Sequence, residues 1–213
     1  AAAMVAIATP HRPWIDALPD VIRQRDLGEF DGAVGLLDDP AEQCRRPLSW
    51  EPGDGTLLLV GALGSGTTTA ASAVATMCIR RCAPDALHLY VIDARGDAAW
   101  TAFEASAHCG AVVRVAETER IIRLLARLAE TIDRRSTDGT NEPVIVVVID
   151  GFGAVRDALG DVAHGETARR LDRLLRDGPA VGVVAVVTTD GSSSAGLAVP
   201  RAVTWVFHVG DAG

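Results

Sequence analysis

The feature that most constrains the fold of this chain is a short apolar run that leads into a glycine-rich segment and then into a row of small residues. Residues 57–60 are all aliphatic, residues 61–66 contain three glycines, and residues 67–76 are threonine, alanine, serine and valine. Such apolar runs are typical of buried strands, and glycine accepts the backbone angles of a tight turn. A strand, a tight turn and a helix in this order form the repeating unit of an α/β fold.

The spacing in this segment matches a phosphate-binding loop that lacks its lysine. Gly61, Gly66 and Thr68 are in register with the pattern G-x-x-x-x-G-K-[ST], and Thr67 stands at the lysine position. Such a loop binds an anion through backbone N–H groups and the N-terminus of the next helix, and the Thr68 hydroxyl takes the position of a Mg²⁺ ligand. The predicted nucleotide-binding residues are Gly61, Gly64, Ser65, Gly66, Thr67, Thr68, Thr69 and Asp150.

A second, acidic strand completes the predicted site. Residues 146–150 form a β-branched run that ends at Asp150, as in a Walker B strand, whose Asp holds the Mg²⁺ shell. We therefore predict Thr68 and Asp150 as the Mg²⁺ ligands. The next residue is Gly151, where hydrolytic enzymes of this class usually have the Glu that orients the attacking water.

The missing lysine and the missing glutamate at one site predict that ATP hydrolysis is lost. A hydrogen bond to a charged group contributes about 1.5–3 kcal/mol, so the missing lysine costs about one to two decades of nucleotide affinity. Charge that develops on the transferred phosphoryl group also loses a pre-placed cation. We expect ATP and Mg²⁺ to bind weakly or not at all. The alternative interpretation is that residues 61–69 are only a tight strand-to-helix turn.

Strands alternate with helices along the chain. A small antiparallel pair is predicted at 32–37 and 47–50, core strands at 56–60, 87–92, 111–115, 144–149, 181–187 and 204–209, helices at 67–81, 98–107, 117–135 and 166–176, and a polar loop at 136–142. Residues 1–31, with three prolines, are predicted to be a connecting arm, and residues 32–213 one α/β domain with a mainly parallel sheet and helices on both faces. The ends of the most apolar strands, Gly61, Asp150 and Thr188, are expected to converge.

Charge and cysteine content narrow the class of partner and the compartment. Twenty basic and 28 acidic residues give a net charge of −8, which disfavours nucleic acid as the main partner. Free thiols in a reducing compartment are predicted for the four cysteines, with a metal pair at Cys78 and Cys82 as the alternative. No stretch reaches the roughly 20 apolar residues of a membrane span. Trp14 and Trp100 are predicted to be the most exposed tryptophans.

Two further features have alternative interpretations. Asp93 follows the strand at 87–92 and is either a turn cap or a second acidic group of the site. The helix at 166–176 has a basic face, which is either solvated and paired with nearby acids or reaches a neighbouring subunit as an arginine finger. The residues of this face are Arg169, Arg170, Arg173 and Arg176.

With these features in order, the chain resembles the FtsK/SpoIIIE-type P-loop ATPase domains, and among them the degenerate ATPase domains of the type VII (ESX) secretion protein EccC. The resemblance extends from about Trp14 to the C-terminus. It depends on the order and spacing of the segments 34–43, 57–69, 89–93, 107–112, 120–135, 147–151 and 175–182. Residues 188–190 (Thr-Thr-Asp) stand where family members carry T-A-D-R, but Gly191 replaces the arginine.

The resemblance implies a RecA-like P-loop NTPase domain that is one of several in a longer chain. The implied partners are neighbouring ATPase domains of the same chain, ring-forming copies of the parent and small helical-hairpin secreted proteins. The implied location is the cytoplasm, with the parent at the inner face of the cell membrane. The function that it favours is a degenerate ATPase-like domain that acts as a regulatory or substrate-docking module in protein export. The alternative is an active FtsK-like, ATP-driven DNA translocase module.

Overall fold

The computed structural model describes residues 22–23, 27, 32–39, 41–160, 162–190, 199–200 and 202–207. The chain falls into two compact units, Ala1–Ser49 and Trp50–Gly213. Most of the predicted connecting arm, including the predicted exposed Trp14, lies outside the described residues. The boundaries of the arm and the domain therefore stay a prediction.

The first unit contains an antiparallel pair of strands, β1 (Ala33–Asp39) and β2 (Cys44–Ser49). The register ends with Asp39 opposite Cys44. The Asp39 side chain accepts a hydrogen bond from the Glu42 backbone N–H at 3.2 Å and so stabilises the turn between the strands. The predicted antiparallel pair is confirmed.

The second unit is built on a six-stranded sheet. Its strands are β3 (Thr56–Gly61), β4 (Leu87–Asp93), β5 (Cys109–Arg114), β6 (Val144–Asp150), β7 (Val183–Thr189) and β8 (Ala202–Phe207). The strand order is β5-β4-β6-β7-β3-β8, and every pair of neighbours is parallel. All residues of β7 are buried, as expected for a central strand of a parallel sheet that is covered on both faces. The predicted parallel sheet is confirmed.

Helices cover both faces of this sheet. They are α1 (Thr67–Arg81), α2 (Thr118–Asp138), α3 (Phe152–Leu159) and α4 (Glu166–Asp177), with 3₁₀ segments at Pro52–Asp54, Ala98–Ala105, Val162–Gly165 and Gly178–Val181. Alternate residues of β6, such as Val147 and Ile149, join α2, α3 and α4 in one hydrophobic cluster. The intervening Val146 and Val148 are also fully buried and point to the opposite face, where α1 contacts the sheet.

Helix α2 contains the predicted apolar stripe but is longer than predicted. The stripe residues, all between 0% and 3% exposed, are Ile121, Leu125, Leu128 and Ile132. Residues 136–138 are helical, so the predicted loop at 136–142 is wrong for them. The hydroxyls of Ser136 and Thr137 donate to carbonyl oxygens one turn earlier, at 2.7 and 3.0 Å, and are thereby accommodated inside the helix. Gly139, with φ of 68°, ends the helix.

Helix α3 was not predicted from the sequence. It has only eight residues and follows Gly151, which has a positive φ of 87°. Its inward side chains are Phe152, Val155 and Leu159, each at most 1% exposed. Three apolar residues in so short a segment do not separate a helix from a loop by periodicity.

The exposed position predicted for Trp100 is wrong. Trp100 is 0% exposed, because the 3₁₀ segment Ala98–Ala105 turns it inward beside Phe103, with 5.5 Å between the ring centroids. Its indole N–H finds a buried acceptor, the Asp150 carboxylate, at 2.9 Å. A tryptophan that gains such an acceptor can be buried without leaving its polar atom unsatisfied.

The cysteines are free thiols, as predicted. Burial raises the pKa of Cys78 to about 12, so this thiol stays protonated near neutral pH. Among the described residues, no group of three or more His, Cys, Asp or Glu side chains could hold a metal ion. In the same part of the chain, none of the helices has the length and hydropathy needed to cross a membrane.

Candidate functional site

The carboxyl ends of β3, β6 and β7 lie side by side at one edge of the sheet. The order β6-β7-β3 makes these strands neighbours, and the parallel registers place Asp150 opposite Thr188 and Val60 opposite Thr189. The predicted convergence of Gly61, Asp150 and Thr188 is therefore confirmed. This edge is where ligands bind in open α/β sheets.

The loop between β3 and α1 has a curled backbone that depends on its glycines. Gly64 and Gly66 have φ of 85° and 92°, which side chains other than glycine rarely adopt. Gly61 is needed for a different reason, since a Cβ atom there would clash with Ser65 Oγ. The Ser65 N–H donates to the Ala62 carbonyl at 3.0 Å and closes the turn.

The N-terminus of α1 is open to an anion. Gly66 precedes the helix and no side chain caps it, so the first N–H groups of α1 have no intrahelical partner. Ser65 Oγ is buried and has no hydrogen-bond partner within the described ranges. A phosphate group at this position would accept hydrogen bonds from the N–H groups of the first turn of α1. The loop thus fits a phosphate.

The three threonines at the start of α1 have different environments. Thr67, at the lysine position, is 2% exposed, Thr68 is half-buried and Thr69 is exposed. The Thr68 hydroxyl donates to Asp150 Oδ1 at 3.0 Å. The two residues that were predicted to share a site are therefore in direct contact.

Asp150 is wholly buried, and its carboxylate joins three parts of the fold. Oδ1 accepts hydrogen bonds from Thr68 at 3.0 Å and from the Thr188 hydroxyl at 2.6 Å, and Oδ2 accepts from Trp100 Nε1 at 2.9 Å. The Thr188 hydroxyl in turn accepts from the Gly151 N–H at 2.8 Å. Trp100 was missed as a site residue, because it lies 50 positions from Asp150 and its local sequence contains no signal of the contact.

Arg95 was also missed as a site residue, and it places a positive charge at the site. Its Nε lies 3.4 Å from Asp150 Oδ1, within ion-pair distance, and its side chain is 23% exposed. The same Nε makes no hydrogen bond to any described residue, so charge rather than a directed bond holds the pair. Arg95 follows β4, and Asp93 at the end of β4 lies opposite Asp150 in the register.

Asp93 is a turn cap. Its Oδ1 accepts hydrogen bonds from the backbone N–H groups of Arg95 and Gly96 at 2.9 and 2.8 Å, and its Oδ2 accepts one from Arg114 Nη1 at 3.3 Å. These bonds fix the turn that carries Arg95. Of the two interpretations of Asp93, the structure favours the cap.

Gly151 stands where a catalytic Glu is usual, and its backbone conformation disfavours any residue with a side chain. Its φ is 87°, in the left-handed region. A Cβ atom would lie 3.3 Å from Ala94 Cβ, a tight contact, and 3.4 Å from Arg95 Cγ, at the limit of ordinary contact. The position is therefore adapted to glycine in both conformation and packing.

Gly151→Ala is expected to lower the free energy of unfolding by about 1–2 kcal/mol, the usual cost of a side chain in the left-handed region. Gly151→Glu should cost at least as much and leave ATP turnover at background. Urea unfolding and phosphate release measure the two effects. Gly153→Ala, inside α3, is the matched control and should be neutral or stabilising. A Gly151→Ala variant as stable as the wild type would contradict the strain argument.

A cavity of about 300 Å³ lies beside Asp150. Its lining residues are Arg95, Gly151, Phe152, Gly153, Ala154, Asp157, Thr189 and Asp190. Gly191, at the position of the missing family arginine, lies outside the described residues. The cavity therefore borders the same strand ends as the loop.

The site fits a phosphate better than it fits a metal ion. Thr68 keeps oxygen lone pairs when it donates its hydrogen to Asp150, so it fits the predicted ligand role. Asp150 Oδ1 already accepts two hydrogen bonds and lies against Arg95. This oxygen has no acceptor capacity left for Mg²⁺ or for a water bound to it.

The basic face of α4 is paired with acidic residues. Arg170 pairs with Glu166, Arg173 pairs with Asp133, and both Arg173 and Arg176 pair with Asp177. The hydrogen bond from Arg173 lowers the pKa of Asp133. These contacts favour the solvated, paired face over the arginine finger.

A parallel sheet covered by helices, with a glycine-rich loop after one core strand and a buried Asp at the end of another, defines the class of P-loop NTPase domains with a RecA-like fold. The chain belongs to the FtsK/SpoIIIE family, whose model matches residues 38–145, half of the chain. This confirms the fold class and the family predicted from the sequence. Membership implies nucleotide and Mg²⁺ binding for the family in general.

Among curated proteins, the chain is similar to the type VII secretion system protein EssC of Staphylococcus aureus. It is 25% identical over 177 residues to EssC of strain NCTC 8325 / PS 47, covering 69% of this chain and 12% of that protein. It is 22% identical over 213 residues to EssC of strain MRSA252, covering 86% and 14%. The chain thus spans about an eighth of the length of these relatives.

Solved structures of related proteins have the same fold. ATPases 2 and 3 of EssC from Geobacillus thermodenitrificans match with a TM-score of 0.66 and 19% identity, covering 94% of this chain and 41% of that one. The cytoplasmic domain of EccC from Thermomonospora curvata matches with a TM-score of 0.68 and 18% identity, covering 86% and 24%. ATPases 2 and 3 of the same EccC, solved with a signal sequence peptide, match with a TM-score of 0.65 and 16% identity, covering 91% and 36%.

Proposed function

We propose that this chain is a degenerate ATPase-like domain of a type VII secretion ATPase. In this proposal it binds nucleotide weakly or not at all, does not hydrolyse ATP, and acts as a regulatory or substrate-docking module in protein export. The observation that carries the proposal is Thr67 at the first position of α1, where the loop has no cation of its own. Similarity to EssC and EccC supports the secretion context.

The glycine loop and the start of α1 supply the nucleotide contacts in this proposal. Backbone N–H groups would bind the phosphates, and the Ser65 hydroxyl, which has no partner among the described residues, would add a donor. Thr68 links the loop to Asp150. The contacting residues proposed are Gly61, Gly64, Ser65, Gly66, Thr67, Thr68, Thr69 and Asp150.

Hydrolysis needs an oriented water and a cation that stabilises the transferred phosphoryl group. Gly151 offers no side chain to orient a water, and its N–H already donates to Thr188 at 2.8 Å. Thr67 offers no charge, and Asp150 already has partners on both oxygens. These features support a loss of turnover.

Purified protein with ATP and Mg²⁺ is expected to release phosphate at the background rate, measured with a coupled phosphate assay. Thr68→Ala is the control that removes the loop hydroxyl. Turnover in the wild type that Thr68→Ala abolishes would overturn the proposal. Salt-sensitive binding of duplex DNA, together with such turnover, would establish the alternative of an FtsK-like DNA translocase, which the net charge of −8 disfavours.

A groove of about 490 Å³ in the second unit supports the docking part of the proposal. Its lining residues are Tyr90, Ala111, Val113, Arg120, Arg123, Leu124, Arg127, Leu128, Thr131 and Ile145. The floor is apolar, and the side chains of Arg120, Arg123 and Arg127 on α2 are 49%, 73% and 83% exposed. Each of these arginines pairs with an acid on or next to the same helix, and exposed pairs of this kind hold their partners weakly.

The occupant proposed for this groove is an acidic amphipathic segment of a small helical-hairpin secreted protein. Its apolar side chains would match the floor, and its carboxylates would replace the weak pairs of the α2 arginines. The EccC structure from Thermomonospora curvata that contains a signal sequence peptide is consistent with such a role.

A designed helical peptide with a leucine face flanked by glutamates is expected to bind the protein in a fluorescence anisotropy titration. Arg123→Glu together with Arg127→Glu should weaken this binding by about tenfold, which corresponds to 1.4 kcal/mol. Arg80→Glu, an exposed change on α1, is the matched control and should leave the affinity unchanged. Equal affinity for a peptide with lysine in place of glutamate would contradict the charge match.

The proposed parent is a longer chain of several ATPase domains. The small share of EssC that the chain covers, 12%, and the neighbour that contains ATPases 2 and 3 in one chain support this arrangement. In the proposal, residues 1–31 connect the domain at 32–213 to its neighbours, and copies of the parent form a ring. The domain lies in the cytoplasm, with the parent at the inner face of the cell membrane.

A further inference from the structure

The two oxygens of the Asp150 carboxylate are used unequally. Oδ1, on the side of the loop residue Thr68, accepts two hydrogen bonds and has Arg95 Nε at 3.4 Å. Oδ2 accepts one hydrogen bond, from Trp100, which is itself 0% exposed. A carboxylate has about four acceptor sites. The spare capacity therefore lies on the Trp100 side, and the loop side has none.

Arg95 is also the source of charge compensation for Asp150. A carboxylate that is 0% exposed requires a compensating positive charge or ionised hydrogen-bond donors. Thr68, Thr188 and Trp100 are neutral donors. Among the described residues, Arg95 is the one cation within ion-pair distance. In an active site of this class, Mg²⁺ provides that charge.

The surrounding turn holds Arg95 in this position. Asp93 accepts hydrogen bonds from the Arg95 and Gly96 N–H groups at 2.9 and 2.8 Å. Gly151 lies against this arginine, since a Cβ atom there would be 3.4 Å from Arg95 Cγ, at the limit of ordinary van der Waals contact. The position without the usual Glu therefore packs beside the arginine that pairs with Asp150.

We propose that Arg95 takes the place of Mg²⁺ at this site. As a positioning residue, it neutralises Asp150, whose loop-facing oxygen already accepts hydrogen bonds from the Thr68 and Thr188 hydroxyls, so the domain excludes divalent metal ions. Any nucleotide that the loop holds is then bound without Mg²⁺. The exclusion of divalent metal ions does not depend on nucleotide binding, whereas the binding of nucleotide without Mg²⁺ rests on the proposed function.

The direct test is a Mn²⁺ titration of the full chain without nucleotide, with free Mn²⁺ measured by electron paramagnetic resonance. The wild type is expected to show no saturable binding at millimolar Mn²⁺. Arg95→Gln removes the positive charge beside the loop-facing oxygen and should show saturable Mn²⁺ binding, at least about tenfold tighter than any binding by the wild type. Arg95→Lys retains the charge and should again exclude the ion. Arg80→Gln, an exposed change on α1, is the matched control.

Wild-type protein that binds Mn²⁺ as tightly as Arg95→Gln would overturn the proposal, as would a folded Arg95→Gln variant that gains no binding. Circular dichroism shows whether Arg95→Gln folds, and if it does not, Arg95→Met replaces it. Saturable Mn²⁺ binding by the wild type then overturns the proposal. Mn²⁺ binding by folded Arg95→Met, with none by the wild type, supports it.

A second measurement tests whether ATP binding depends on Mg²⁺. ATP affinity of the wild type should be the same, within about twofold, in Mg²⁺ and in EDTA, and Arg95→Gln should become Mg²⁺-dependent. A wild-type affinity that falls tenfold in EDTA would overturn the proposal. If ATP does not bind under either condition, the nucleotide-holding role is lost, and the Mn²⁺ titration alone decides whether Arg95 excludes the metal.

Discussion

Asp150→Ala is expected to lower the free energy of unfolding by about 3–5 kcal/mol, because three hydrogen-bond donors lose a charged acceptor and each such loss costs about 1–3 kcal/mol. Trp100 Nε1 would lose its acceptor at a position that is 0% exposed, and the Thr68 and Thr188 hydroxyls would lose theirs. Arg95, at 23% exposed, would turn toward solvent. Urea unfolding followed by circular dichroism measures the change.

The matched control for this variant is Asp85→Ala. Asp85 is an exposed residue in the turn before β4, so its removal should change stability by less than about 0.5 kcal/mol. Trp100→Phe removes a single donor and should cost less than Asp150→Ala. A loss below about 1 kcal/mol for Asp150→Ala would show that the carboxylate does not hold these elements together.

Thr67→Lys is expected to tighten ATP binding by about tenfold to a hundredfold, since a hydrogen bond to a charged group contributes about 1.5–3 kcal/mol. The lysine would extend from the first turn of α1 toward the phosphates. Turnover should stay at background, because Gly151 still provides no group to orient a water. Equilibrium titration with a fluorescent ATP analogue and a phosphate assay give the two readouts.

The control for Thr67→Lys is Thr101→Lys, which adds the same charge at an exposed threonine outside the glycine loop. It should change affinity less than about threefold, because a solvated charge near the surface is screened. Equal gains from the two variants would mean that general electrostatic attraction, rather than the phosphate-binding geometry, is responsible. No gain from Thr67→Lys would argue that the loop no longer holds phosphate.

Much of the fold could be predicted because its signals are local. The β-branched run at 144–149 indicates a strand buried on both faces, and the stripe of α2 repeats over three turns. The start of α1 follows from the glycine loop. Each of these patterns depends on residues within one element, and burial of the apolar side chains then stabilises that element. Helix α3 is short enough that no such pattern develops.

Two of the partners of Asp150, Trp100 and Arg95, could not be predicted, because they come from other parts of the chain. Trp100 and Thr188 lie 50 and 38 positions away and are brought in by the strand order. The sequence predicted that the strand ends converge, but not that an indole would donate a hydrogen bond to the carboxylate or that an arginine would form an ion pair with it. The left-handed backbone of Gly151 is likewise visible only in three dimensions.

The hydrogen bonds at Thr188 join the start of one helix to the start of another. Thr68 in the first turn of α1, the Asp150 carboxylate, the Thr188 hydroxyl and the Gly151 N–H form a continuous chain of contacts. A displacement of the loop therefore alters the support of α3 without any chemical step. This connection between the glycine loop and α3 needs no ATP turnover, so it supports the proposed regulatory role.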